Sequence, residues 1–79
     1  MRLQELAVFM ARGLVDHPDD VSVDFLEVSH DETVLELRVH GDDLGHVIGK
    51  QGRTARSLRL ALGAAAGRVQ RKATLEIAD

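Results

Sequence analysis

The sequence contains no cysteine, no tryptophan, no tyrosine and only two phenylalanines. Without cysteine there is neither a disulfide staple nor a thiolate zinc site. With aromatic residues at 3%, a reader that stacks bases on aromatic platforms, such as an RRM or an OB-fold, has almost nothing to use. Long apolar runs are missing too, and none approaches the roughly 18 residues that a membrane span needs. The N-terminus, Met1-Arg2-Leu3-Gln4-Glu5, has no long apolar core and no small-residue cleavage site. The expectation is a soluble cytoplasmic protein.

Acid is the next absence. From His46 to Leu75 there are Lys50, Arg53, Arg56, Arg59, Arg68, Arg71 and Lys72, and no Asp or Glu. The net charge of −3 hides this asymmetry: residues 1–45 carry three basic and eleven acidic side chains, residues 46–79 seven basic and two acidic. A basic run by itself solvates a surface. Beside a phosphate-binding loop it becomes an electrostatic footprint, and the acidic half then keeps polynucleotide off the wrong face.

The 44% apolar content of this 79-residue chain argues against disorder and fits one small domain, residues 1–79. A chain this short buries only roughly 60% of its unfolded surface. A second copy or another partner would add buried area.

Leu3, Leu6, Ala7, Met10 and Leu14 recur at helical spacing, which predicts an amphipathic helix over 2–14. Gly13 and the cluster Asp16-His17-Pro18-Asp19-Asp20 end it. Val21, Val23, Phe25, Leu26 and Val28 read as a strand whose alternation changes phase between Phe25 and Leu26, the mark of a bulge or of two apolar faces. Ser29-His30-Asp31-Glu32 is a tight turn. Leu35, Leu37 and Val39 alternate with polar residues as a half-buried second strand, antiparallel to the first. Gly41-Asp42-Asp43 supplies a turn and a capping carboxylate for a short helix over 43–48. A longer helix over 53–66 buries Ala55, Leu58, Leu62 and Ala65, and Gly67 closes it. Ala73, Leu75 and Ile77 form the last strand. The order α-β-β-α-α-β predicts an α+β fold, one sheet of three strands covered on one face by helices.

The loop between the last two helices carries the chemistry. In Val47-Ile48-Gly49-Lys50-Gln51-Gly52-Arg53 an apolar pair leads into two glycines separated by two polar residues, and a basic helix follows. Glycines let the backbone turn sharply and approach a ligand closely. The amides opening the next helix favour an anion. A nucleotide-hydrolase P-loop is a poor match: one residue too few separates Gly45 from Gly49, and Gln51 stands where Ser or Thr would hold magnesium. His17, His30, His40 and His46 show no metal-ligand spacing, and His40 is expected on the solvent face of its strand. No nucleophile–base constellation stands out. The residues therefore point to no enzyme, no cofactor and no metal site.

The stretch Gly45-His46-Val47-Ile48-Gly49-Lys50-Gln51-Gly52-Arg53-Thr54-Ala55-Arg56 closely resembles the signature of bacterial type II KH domains, and the layout of residues 3–77 is similar to the KhpA group of small RNA-binding proteins. The resemblance implies a mixed sheet and binding of single-stranded RNA over about four nucleotides by the GXXG loop. Carried over by position, Gly49 and Gly52 offer amides and room for the sugar-phosphate. Lys50 and Gln51 are the tip residues. Val47 and Ile48 line an apolar groove for bases, with Val39 or Leu37, and Arg53 and Arg56 meet flanking phosphates. His46 stands where the group usually has a stronger base, which weakens that contact near neutral pH. Arg59, Arg68 and Arg71 read as solvated charge.

The helix after the loop has a second face. Leu60 lies opposite the Leu58-Leu62 stripe, with Gly63, Ala64 and Gly67 near it, a surface on which another helix can approach closely. The resemblance points the same way, to homodimers and to pairs with a larger multidomain KH protein of the KhpB type. It also implies an RNA chaperone role, post-transcriptional control and a link to cell elongation and division. The alternative is an assembly protein whose RNA contact is weak.

Overall fold

The computed structural model describes residues 2–78. Its elements are α1 (Leu3–Arg12), β1 (Ser22–Ser29), β2 (Glu32–Arg38), α2 (Leu44–Ile48), α3 (Arg53–Gly67) and β3 (Lys72–Ile77), with short 3-10 turns at Pro18–Asp20, Gly41–Asp43 and Lys50–Gly52. The sheet order is β1-β2-β3. β1 pairs antiparallel with β2 through a tight hairpin, and β3 pairs parallel with β2. A parallel neighbour demands a crossover, which α2 and α3 provide. The result is the mixed three-stranded sheet and α-β-β-α-α-β order of a type II KH domain.

Leu35 and Leu37 on the central strand, Val23 on β1 and Leu75 on β3 face Ala7 and Ala11 of α1 and Leu58 and Leu62 of α3 in one core. Small residues at Ala7, Ala11, Ala55 and Ala66 let the helices sit close to the sheet. The buried stripe of α3 is Ala55, Leu58, Leu62 and Ala66; Ala65, one residue earlier, is only half-buried.

Element ends differ from the sequence expectation in specific ways. α1 stops at Arg12 because Leu14 N–H turns back to the Ala11 carbonyl at 3.0 Å. β1 and β2 keep a regular register from Ser22↔Arg38 to Glu27↔Thr33, and the ladder slips between Glu27 and Ser29. The irregularity is therefore real but lies beyond the Phe25–Leu26 phase change. There the strand simply turns apolar residues to both faces, and Phe25, Leu26 and Val28 are all exposed. Gly67 is the last residue of α3, yet the left-handed turn that follows falls on Gln70, with φ 58°.

The largest departure concerns Asp43. It occupies the N-cap position of α2, but its side chain does not cap that helix. Its carboxylate is fully buried and accepts the amides of Asp16 at 3.1 Å and His17 at 2.9 Å, and His17 Nδ1 at 2.9 Å. Two main-chain donors in the link leaving α1 have no helix or strand to satisfy them, and an unpaired buried amide is costly. They take the carboxylate, and α2 is thereby tied to the segment leaving α1. Burial opposes the charge on Asp43, but the Asp16 amide, the His17 ring and the His17 amide outweigh it and hold its pKa below the ordinary 3.8. The hydrogen bond to Asp43 raises His17 above its ordinary 6.5, against the opposing effect of desolvation, with the nearby charges of Asp43, Asp42 and Asp20 adding to the rise.

The signs give a pH window. The lowered Asp43 contributes stability above its ordinary range and loses it as pH falls through the folded value. The raised His17 contributes fully below about pH 6.5 and loses its share as pH rises through its folded value. Melting curves of the wild type and His17→Gln should therefore differ most below about pH 6.5 and draw together as pH rises through the folded value of His17. A difference that stays constant over that range would remove the charged pair from the fold's stability.

Candidate nucleic-acid interface

α2 ends at Ile48, and the chain then makes a hinge. Gly49 has φ 77° and ψ 170°, a region essentially closed to other residues. Gln51 (φ 57°) and Gly52 (φ 73°) follow in left-handed conformations. A Cβ at Gly49 would lie 2.8 Å from the Thr54 backbone nitrogen and closer still to the Thr54 side chain. Gly49 is therefore required twice, by conformation and by space. At Gly52 a Cβ would meet nothing within 4 Å, so only its conformation favours glycine.

The hinge delivers Lys50 and Gln51 to the surface and drops the chain directly into α3 at Arg53. α3 has no side-chain cap at its start; the Gly52 and Arg53 amides turn back to the Gly49 and Lys50 carbonyls, so the helix dipole, rather than a free first amide, favours an anion there. Arg53 and Arg56 are exposed on its first turns, away from the buried stripe. Among the described residues, Lys50, Arg53 and Arg56 pair with no carboxylate, whereas Arg38, Arg71 and Lys72 face Glu36, Glu27 and Glu32. Arg59 donates to the Leu75 carbonyl at 3.1 Å and Arg71 to the His30 carbonyl at 3.2 Å. Those two fasten α3 and the chain beyond it to the sheet, a structural use rather than simple solvation.

Two expected groove residues move into the core. Val47 has no exposed surface and Leu37 has 1%. α2 turns Val47 inward, on the same face as Leu44 one turn earlier, which also packs against the core; Ile48, the next residue, is rotated off that face. Ile48, 37% exposed, is left as apolar surface where α2 enters the hinge, and Val39 is half-buried against the core.

His46 also differs from expectation. Its Nε2 faces Asp16 Oδ2 at 3.6 Å and Asp43 Oδ1 at 4.0 Å, so it looks toward acid rather than toward a free phosphate path. His40 is not on the solvent face of a strand: it lies past the end of β2 and stacks on His17, with ring centroids 4.0 Å apart. Linear spacing hid this cluster, which three separate segments bring together at the foot of the loop.

The sequence comparisons agree with this geometry. A profile of the family described as KhpA/KhpB, KH domain, matches residues 4–77. The chain belongs to that family. It is 48% identical over 77 residues to RNA-binding protein KhpA of Halalkalibacterium halodurans, covering 98% of this chain and 100% of that one. It is 52% identical over 66 residues to RNA-binding protein KhpA of Streptomyces coelicolor, covering 84% and 82%. Against RNA-binding protein KhpA of Bacillus subtilis it is 46% identical over 77 residues, covering 98% and 94%. A KhpA/KhpB-type KH domain thus carries the hinge, with Lys50, Arg53 and Arg56 following it and a histidine–aspartate cluster before it.

The two glycines should respond unequally to alanine. Gly49→Ala is expected to cost about 3 kcal/mol, since it combines a strained backbone with a collision at Thr54. Gly52→Ala should cost about 1 kcal/mol, the ordinary left-handed penalty. Urea denaturation of both variants checks this, and equal losses would contradict the assignment of Thr54 as the close contact.

Proposed function

We propose that this chain binds single-stranded RNA through the Gly49–Gly52 hinge. The observation that carries the reading is a left-handed, exposed turn that opens a helix and is followed by cations that pair with no carboxylate among the described residues. Lys50 and Gln51 approach the phosphate at the tip. Arg53 and Arg56 hold the next phosphates, and Gly49 and Gly52 keep side chains out of the way. Ile48 and Val39 supply apolar surface for bases. That the relatives are named RNA-binding proteins supports the same reading. The reading includes no catalysis, one KH domain over the whole chain, and work in the cytoplasm as an RNA chaperone or post-transcriptional regulator. The link to cell elongation and division rests on the family resemblance alone.

Three neutralised phosphates predict a slope of about −2 in log K against log salt and an affinity on the order of micromolar. Lys50→Asp with Gln51→Asp should abolish measurable binding of a short single-stranded RNA while leaving the circular dichroism spectrum intact. A folded double variant with undiminished affinity would defeat the proposal.

A second reading, assembly, is favoured by a specific surface. Leu60 on α3 is 70% exposed and Phe9 on α1 is 69% exposed. Phe9 and Leu14 share a shallow groove with Ser57, Leu58 and Ala61. Leu60, Ala64, Gly63 and Gly67 continue the surface along α3, all exposed. We propose that this face pairs with a second copy or with a larger multidomain KH protein of the KhpB type, and that two linked RNA sites then gain avidity without new contacts. Leu60→Asp should halve the mass measured by light scattering. A wild type that is already monomeric at high concentration would rule out self-pairing.

A further inference from the structure

The cluster at the foot of the hinge holds donors that RNA binding does not use. Asp16 follows α1, Asp43 precedes α2, and His46 lies within α2, three residues before Gly49. One donor atom from each lies within 4.8 Å of the others. We propose that Asp16, Asp43 and His46 bind one divalent transition-metal ion of the zinc class.

Three features separate this group from an ordinary acidic surface. The first is an imidazole nitrogen in the donor set, which suits zinc-type ions better than magnesium or calcium. His46 Nε2 sits 3.6 Å from Asp16 Oδ2 and 4.0 Å from Asp43 Oδ1, too far from either for a hydrogen bond. Donors about 2.1 Å from a tetrahedral ion stand about 3.4 Å apart. The gap therefore closes on an ion with a small rotation of the exposed His46 and Asp16 side chains. The second feature is the orientation of Asp43, whose side chain is 1% exposed. Its Oδ2 is held by the amide and ring of His17, both at 2.9 Å. Among the described residues its Oδ1 accepts only the Asp16 amide, at 3.1 Å, which leaves one acceptor site on that oxygen. A carboxylate locked in place by an outer histidine is a preorganised ligand.

The third feature is the contrast with a neighbouring group, His17, His40 and Asp42, which also brings donors together. There the two imidazole rings are nearly parallel, at 13°. Nitrogen lone pairs lie in the ring planes, so stacked rings do not converge on one ion. His17 Nδ1 is engaged by Asp43, and His40 Nδ1 accepts the Asp42 amide at 3.0 Å. This second group shapes the site without supplying a competing one.

Three protein ligands leave a fourth position open. Asp16 and His46 are exposed, so that position faces solvent on the loop side of α2. A bound dication would offset the carboxylates that otherwise repel a polynucleotide there, and its open position suits a phosphate oxygen. This consequence rests on the RNA reading above; the metal site itself does not.

Calorimetric titration of the full chain with zinc chloride, in the absence of RNA, tests the site. The expected result is one ion per chain. Asp16→Asn and His46→Gln should each weaken binding by at least about tenfold, since loss of even an outer partner costs that much. His30→Gln, in the distant hairpin turn, should leave it unchanged. No saturable binding below millimolar zinc, or binding that survives both ligand variants, overturns the site. RNA titrations with and without zinc then test the coupling. Tighter binding with zinc in the wild type but not in Asp16→Asn supports it, and zinc-independent RNA affinity overturns it while the calorimetry stands on its own.

Discussion

A buried carboxylate organises this molecule. Asp43 lies between the end of the hairpin and the start of α2, and it satisfies the amides of Asp16 and His17 that the chain leaves bare after α1. Those bonds tie α2 to the exit of α1. α2 in turn seats Val47 in the core and sets the direction in which the chain enters the Gly49 turn. The loop's aim is thus fixed by a contact on the far side of a five-residue helix, one too short to hold its position by its own hydrogen bonds.

Much of this was legible in the sequence because periodicity and glycine placement are local signals. Leu35 and Leu37 announced the central strand, Leu58 and Leu62 the inner face of α3, and Gly49 with Gly52 the hinge. The illegible parts share one cause: they depend on which partner wins a competition settled only in three dimensions. Asp43 could cap its own helix or serve two remote amides, and the remote amides win because they have no other acceptor. Val47 and Ile48 are equally apolar, and only the orientation of α2 on the sheet decides that Val47 turns inward. Phe9 lies off the apolar stripe of α1, and its exposure appears only once that helix is seated. His17, His40 and His46 are far apart along the chain and meet because α1, the hairpin and α2 end at the same corner.

The charge asymmetry of the sequence takes a finer form in space. The basic half places Lys50, Arg53 and Arg56 at the hinge, where they pair with no carboxylate among the described residues, while Arg59, Arg71 and Lys72 are consumed by the sheet and hairpin. The acidic half is not confined to the opposite face. Asp16 and Asp43 reach the base of the loop through His46, so one flank of the hinge attracts polyanions and the other resists them. An approaching strand therefore meets a field with a direction, which selects one path across the turn.

The slip in the β1–β2 ladder has a consequence for the life of the protein in a crowded solution. β1 is an outer strand, and Leu26 and Val28 give it a sticky surface. A flat strand of that kind recruits like strands and seeds fibres. Here the irregularity between Glu27 and Ser29 spoils the flatness at the end of the strand. Copies that approach along β1 meet a bent template, which works against the addition of a strand at that edge.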